Sequence, residues 1–404
     1  MTSTRLGDVV TVKSGFAFKS ADWLDAGVPV IKIANVKDGW VTLDGCSFVS
    51  EEVAHSARAF ELTKGDVLIS MTGHIGQVAK VRDEGRMLLN QRVGRFSIKN
   101  RERIDGEYLF QWLRLPEVRA VFEAHAYGAA QPNISPTLIE QQSIPLPPLP
   151  VQLRIASILS AYDDLIENNS RRIAILEEMS RRLYEEWFVR FRFPGHEGVR
   201  MVESELGLVP EGWSLKTLQD IATVTMGLSP KGETYNEDAD GTPLINGPVE
   251  FGERFTKRVK WTTAPTKLCQ DGDLVVCVRG STTGKYVKSD GVYCLGRGVC
   301  AIRGEYQGFV DQVFAHQLPI LLGQVGGSTF PSWTGPQLKL HPVLVPTSKL
   351  LRRFEAHAGP LRDAVGAYSR QIENLRVTRD LLLPKLISGE LDVSALPEPQ
   401  ALAA

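Results

Sequence analysis

The residues able to do chemistry are present, but none is spaced to do it. Seven histidines (His55, His74, His125, His196, His316, His341 and His357) form no H-x-x-x-H or H-E-x-x-H pair, so no chelating helix face is encoded. Five cysteines (Cys46, Cys269, Cys277, Cys294 and Cys300) give an odd count at irregular spacing, with no C-x-x-C, and read as ordinary strand or core thiols. No G-x-S-x-G elbow occurs. Arg279-Gly-Ser-Thr-Thr-Gly-Lys-Tyr286 resembles a phosphate loop, but it is one residue short after its first glycine. Tyr286 also stands where a magnesium-binding hydroxyl belongs, so the stretch reads as a Gly-flanked hairpin. There is no Asn/Asp-Pro-Pro-aromatic motif of an amino-methyltransferase, no G-x-G stretch placed to seat S-adenosylmethionine, and no acidic cluster followed by Glu-x-Lys as in nucleases. The expectation is a chain without a catalytic site of its own and without a metal.

Other polar residues gather at glycine-bounded turns in a way that suits recognition. In the first third they are Thr72, His74, Gln77, Asn90, Gln91 and Arg92, with Ser14 and Lys19 nearer the start. Further on they are Arg279, Ser281, Thr282, Thr283, Lys285 and Arg297, with Lys231 and Asn246 upstream. Arg and Lys pair with guanine edges, Asn and Gln with adenine, and Ser and Thr with base edges or phosphate. Polar residues also populate loops for no special reason. Net charge is −1; by count, residues 1–150 carry 17 basic and 17 acidic groups, and residues 201–346 carry 13 and 15. DNA binding must therefore rest on local clusters and partner subunits rather than bulk charge. No apolar run approaches the roughly 18 residues of a membrane span, and the N-terminus lacks a signal-peptide core, so a cytoplasmic protein is expected.

The elements that hold these turns follow from periodicity. Residues 1–145 read as mixed α/β, with short strands at Val9–Val12, Val28–Ile33, Val67–Met71, Gln77–Val81 and Arg95–Ile98 and one helix at Gly106–Ala124. Residues 146–193 then run, after a proline-rich lead-in, for about forty residues without Pro or Gly. Apolar side chains recur there in steps of three and four from Ile155 to Phe188, which specifies a helix with one buried stripe. Its aromatic end, Tyr184, Trp187, Phe188 and Phe191, is a candidate docking surface for partner subunits, as are Leu382 and Leu386.

The pattern then restarts. Leu218-Gln-Asp-Ile221 parallels Leu6-Gly-Asp-Val9, Gly241–Ile245 parallels Gly27–Ile31, and Asp271–Cys277 parallels Lys64–Ser70. In the helices the register is fixed: Pro147 pairs with Pro346, Ile155 with Phe354, Ile173 with Ile372 and Leu183 with Leu382, each 199 residues apart. Expected segments are thus a first domain (1–145), a central long helix (146–193), a second domain (194–346), a C-terminal long helix (347–391) kinked at Gly359-Pro360, and a disordered tail (392–404). The fold class is α+β: two mixed α/β domains, each followed by a long helix, with the helices pairing as an antiparallel coiled coil under pseudo-two-fold symmetry.

The chain resembles the specificity subunit of type I restriction–modification systems. The resemblance is carried by the two proline-rich lead-ins with their helices, by Leu183-Tyr-Glu-Glu-Trp-Phe188, by Leu381-Leu-Leu-Pro-Lys-Leu-Ile-Ser-Gly-Glu-Leu391, by Pro210-Glu-Gly-Trp213, and by the Gly-Asp turns of both domains. It implies two target-recognition domains, each reading half of a split site in double-stranded DNA, and helices that set the spacer and dock two modification (methyltransferase) subunits. Restriction (motor and nuclease) subunits would join them, and S-adenosylmethionine, ATP and Mg²⁺ would belong to those partners. The first domain departs from the pattern by lacking a Pro-Glu-Gly-Trp opening. A DNA-acting enzyme with its own site and a coiled-coil interaction protein that does not bind DNA are the alternatives.

Overall fold

The computed structural model describes residues 3–37, 39–126, 132–323 and 332–396. Its contacts divide the chain into two units, residues 1–167 with 373–404, and residues 168–372.

In the first unit, strands Val10–Ser14, Val93–Ile98, Val67–Ser70, Val78–Lys80 and Gly39–Trp40 form one sheet in that order. Ser47–Val49, Val28–Ile31, Met87–Leu89 and Glu61–Leu62 form another. The expected strands are thus present with shifted ends. The single expected helix is two, Gly106–Leu113 and Pro116–Ala126. Pro116 has no N–H to continue the ladder and disfavours helical geometry in Leu115.

The second unit repeats the plan. Ala222–Met226, Val299–Gly304, Leu274–Cys277 and Tyr286–Lys288 correspond to the first four strands above. A five-stranded sheet keeps the same unusual parallel pair: Leu244 opposite Cys294 here, Val30 opposite Leu88 in the first unit. The Arg279–Lys285 stretch is the turn of a hairpin, since Val276 pairs with Tyr286.

The long helices run Leu149–Tyr184, ending in a π turn at Glu185–Val189, and Ser348–Ser388. The second stays helical through Gly359-Pro360, where a kink was expected. It stops at Gly389, which takes a φ of 78° while its N–H donates to the Leu386 carbonyl. In the second unit Asn169 meets Gln371 (3.2 Å), and Trp187 packs edge-on against Phe354 and His357. Numbers rising on one helix face numbers falling on the other, so the pairing is antiparallel. In the first unit the core takes in Ile155, Leu159, Leu383, Leu386, Ile387 and, beyond the helix, Val393. The expected disordered tail therefore begins with a packed residue; residues 397–404 lie outside the described ones.

One polar group sits inside that first core. The Asp163 carboxylate accepts from Gln111 Nε2 (2.8 Å), Arg114 Nη1 (2.9 Å) and Arg379 Nη1 (2.7 Å). Burial pushes its titration upward, but Arg114, Gln111 and Arg379 outweigh this and hold it below the ordinary carboxylate range.

Gly15 and Gly227 are among the glycines required by close backbone approach. A Cβ on Gly15 would lie 2.2 Å from the Leu89 carbonyl oxygen, and one on Gly227 would lie 2.1 Å from that of Gly296. Neither backbone can yield without breaking strand contacts. Gly15→Ala and Gly227→Ala are each expected to cost about 2–3 kcal/mol or more. Gly232→Ala, in open space, should stay within about 0.5 kcal/mol of the parent. Denaturant unfolding of the three variants checks this.

Candidate nucleic-acid interface

The two close approaches organise the turns. In the first unit Phe16 N–H donates to the Leu89 carbonyl (2.8 Å), Gln91 N–H to the Phe16 carbonyl (3.0 Å), and Met71 N–H to the Arg92 carbonyl (3.1 Å). Thr72 bridges Asn133. Backbone bonds thus bring Ser14–Phe16, Met71–Gln77, Asn90–Arg92 and Asn133 to one edge. The second unit makes the same bonds with different residues: Leu228 to Leu295 (2.8 Å), Val278 to Gly298 (2.8 Å), and a bridge from Arg279 to Ser332. Arg297 N–H also donates to Ser229 Oγ (3.1 Å).

The candidates separate by exposure. His74, Gln91, Arg92, Arg279, Ser281, Lys285 and Arg297 are exposed at these edges. Ser14, Thr72, Gln77, Asn246, Thr282 and Thr283 are half-buried. Lys19 and Lys231 are exposed beside short turns that no bond ties to the crossings. Asn90 is a correction: it is buried, and its Oδ1 accepts from Arg92 N–H, so it shapes the turn and presents no edge to a base. Thr283 Oγ1 donates to the Gly280 carbonyl (2.8 Å) and closes its own turn. Asn246 fills the slot left by Gly296, where a Cβ would come within 2.0 Å of its Oδ1.

The charges at the edge are unspent. Among the described residues, Arg92, Arg279, Lys285 and Arg297 have no carboxylate within 4.0 Å, whereas Arg82, Arg86, Arg95, Arg254 and Arg303 of the framework are all paired. A guanidinium without a carboxylate keeps its full donor fork for phosphate or guanine. Nucleophilic chemistry has no matching support. Burial raises the thiols of Cys269 and Cys277 and pushes Cys300 up to about 12, which keeps them protonated and inert. Among the described residues no group of three or more His, Cys, Asp or Glu is placed to hold a metal ion.

Asn133 and Ser332 were missed from sequence. Carried upstream of Pro147, the 199-residue register would have aligned Asn133-Ile-Ser135 with Ser332-Trp-Thr334, whose Ser135 and Thr334 both cap short helices.

Residues 1–178 match the family described as type I restriction modification DNA specificity domain. A Methanocaldococcus jannaschii chain named as the MjaX type I restriction enzyme specificity subunit is 26% identical over 377 residues, covering 91% of this chain and 88% of its own length. Along most of its length the chain is similar to type I restriction specificity subunits. The MjaIX specificity subunit of the same organism is 26% identical across 86% of this chain and 82% of its own. The crystal structure of the type I restriction–modification S subunit from M. genitalium shares the fold, with a TM-score of 0.62 over 95% of both chains at 15% identity.

Arg92→Ala and Arg297→Ala should each weaken DNA binding and lower the slope of log K against log salt by about one if the contact is to phosphate. Neither should shift the melting temperature, because neither side chain has a carboxylate partner to lose. Titration of the assembled complex at several salt concentrations checks both.

Proposed function

We propose that this specificity subunit reads a split site in double-stranded DNA, one half with residues 1–145 and the other with residues 194–346. The observation that carries this is the duplicated edge. The same backbone crossings, down to Gly15 and Gly227, present Arg92, Gln91 and His74 in one copy and Arg279, Lys285 and Arg297 in the other. One scaffold with two sets of base-reading residues suits two unlike half-sites. The subunit is not itself a catalyst. S-adenosylmethionine, ATP and Mg²⁺ act on methyltransferase and restriction subunits assembled around it, in the cytoplasm. No described helix is long and apolar enough to cross a membrane.

The docking surface is not the aromatic end first expected. Tyr184, Trp187 and Phe188 are each 6% exposed and pack in the second unit's own core, and Leu386 is 3% exposed in the first. Phe191 and Leu382 are half-buried. Helix residues that leave apolar surface uncovered include Leu165, Val377 and Leu381 in the first unit, and Ile175 and Met179 in the second. Val377 and Leu381, like Ile175 and Met179, are four residues apart and so lie on one helix face, and neighbouring exposed apolar side chains of this kind offer a surface to a protein partner.

Two experiments follow. Co-expression with the host's methyltransferase and mapping of genomic methylation should give a bipartite site, and replacing residues 1–145 by those of a relative should change one half only. Methyl transfer or cleavage by the purified chain alone would refute the non-catalytic reading, and absence of salt-sensitive DNA affinity in the complex would refute DNA recognition. Separately, Leu381→Asp, at a side chain 63% exposed, should leave unfolding within about 0.5 kcal/mol of the parent. The same variant should lose the methyltransferase in co-purification.

A further inference from the structure

The polar node in the first unit has no counterpart in the second. Asp163, Arg114 and Arg379 have side chains 10% exposed or less and come from three segments: the central helix, the end of helix Gly106–Leu113, and the C-terminal helix. Shifted by the 199-residue register of the long helices, Asp163 becomes Arg362 and Arg379 becomes Ser180; in the domain helices, where the offset is 201 residues, Gln111 aligns with Gln312 and Arg114 with Ala315. Arg362 turns along its own helix to Glu355 (2.8 Å), and Ser180 takes only a hydrogen bond from Gln312 (3.1 Å). Where the first unit is filled by the node, the second has a 790 Å³ cavity bordered by Ser180, Gln312, Ala315 and Arg362.

A buried ion triad constrains what an apolar seam does not. Leucines sliding past leucines by one helical turn lose little. A slip of one turn at Arg379 would bring Leu375 or Leu383 to Asp163 and take the largely buried Arg379 guanidinium away from that carboxylate.

From this one-sided arrangement we infer that Arg114, Asp163 and Arg379 are positioning residues: they pin the slide of the helix pair together with the first recognition domain, and so fix the spacer length that the complex accepts. The inference rests on the split-site reading above. One turn of slip is roughly 5.4 Å along the helix. That is on the order of one to two base pairs of DNA.

The test uses the full chain assembled with its methyltransferase and genome-wide methylation mapping. The parent is mapped first; if it yields no split site, the functional reading fails before the pin is examined. Two variants follow. Arg379→Ser imports the second unit's residue while leaving Asp163 paired with Arg114. Arg114→Met with Asp163→Leu and Arg379→Leu removes all three charges, a replacement that well-packed cores tolerate. Both should keep the half-site sequences and raise methylation at spacers one or two base pairs off the parental length at least tenfold. Retention of the parental spacer alone, whether at full or at uniformly lowered methylation, overturns the pin, because a merely structural role changes the amount of active complex and not its spacing.

Discussion

Neither long helix can stand in water with its apolar stripe uncovered, and this constraint shapes each unit. In the first unit Ile155, Ala156 and Leu159 of one helix share a core with Leu383, Leu386 and Ile387 of the other and with Tyr108, Leu109 and Trp112 of the recognition domain. In the second unit Tyr184, Trp187 and Phe188 share a core with Leu350, Leu351 and Phe354 and with Phe309, Val310 and Val313. Fully burying a large apolar side chain contributes about 1.5–3 kcal/mol. Each of these three-sided cores therefore ties its domain to both helices far more firmly than surface ion pairs could. The first domain is thereby held by a helix that is remote in sequence as well as by the adjacent one, and the second by the two helices that flank it.

That remote tie accounts for what was visible in sequence and what was not. The helices were legible because their stripe spans forty residues and recurs at an offset of 199; Ser348–Ser388 needed no tertiary information. Strand identities were legible from β-branched runs, but their pairing was not, since the parallel match of Val30 with Leu88 depends on chain folding over nearly sixty residues. The aromatic end of the central helix misled for a physical reason. A cluster of Tyr, Trp and Phe looks the same in sequence whether it meets a partner protein or the chain's own distant helix, and here Phe354 and Phe309 had already claimed it.

Within the recognition edges, residue type predicted less than backbone geometry. Asn90 and Arg92 are two residues apart in one turn, yet one is buried as an acceptor for the other's N–H. The turn needs that bond to hold Arg92 outward, so the adenine-reading residue type at 90 serves the framework. Asn246 is half-buried, with its Oδ1 packed against Gly296. Amides at such turns compete between reading a base and closing the loop, and the local hydrogen bond wins because it is intramolecular and always within reach. Charged groups escape this competition: Arg92, Arg279, Lys285 and Arg297 are too long and too costly to bury, so their sequence positions were the more reliable signal.

The near-neutral charge of the chain then becomes informative. Each phosphate neutralised contributes roughly −0.9 to the salt slope, and stand-alone DNA-binding proteins commonly use six to ten such contacts. Among the described residues, one exposed unpaired cation at the first edge, Arg92, and three at the second, Arg279, Lys285 and Arg297, fall well short of that number. Sequence discrimination needs few groups, because a single bidentate arginine distinguishes guanine by about 1–3 kcal/mol. Affinity needs many. On the split-site reading proposed above, such a chain keeps discrimination for itself and leaves most of the backbone grip to its partner subunits.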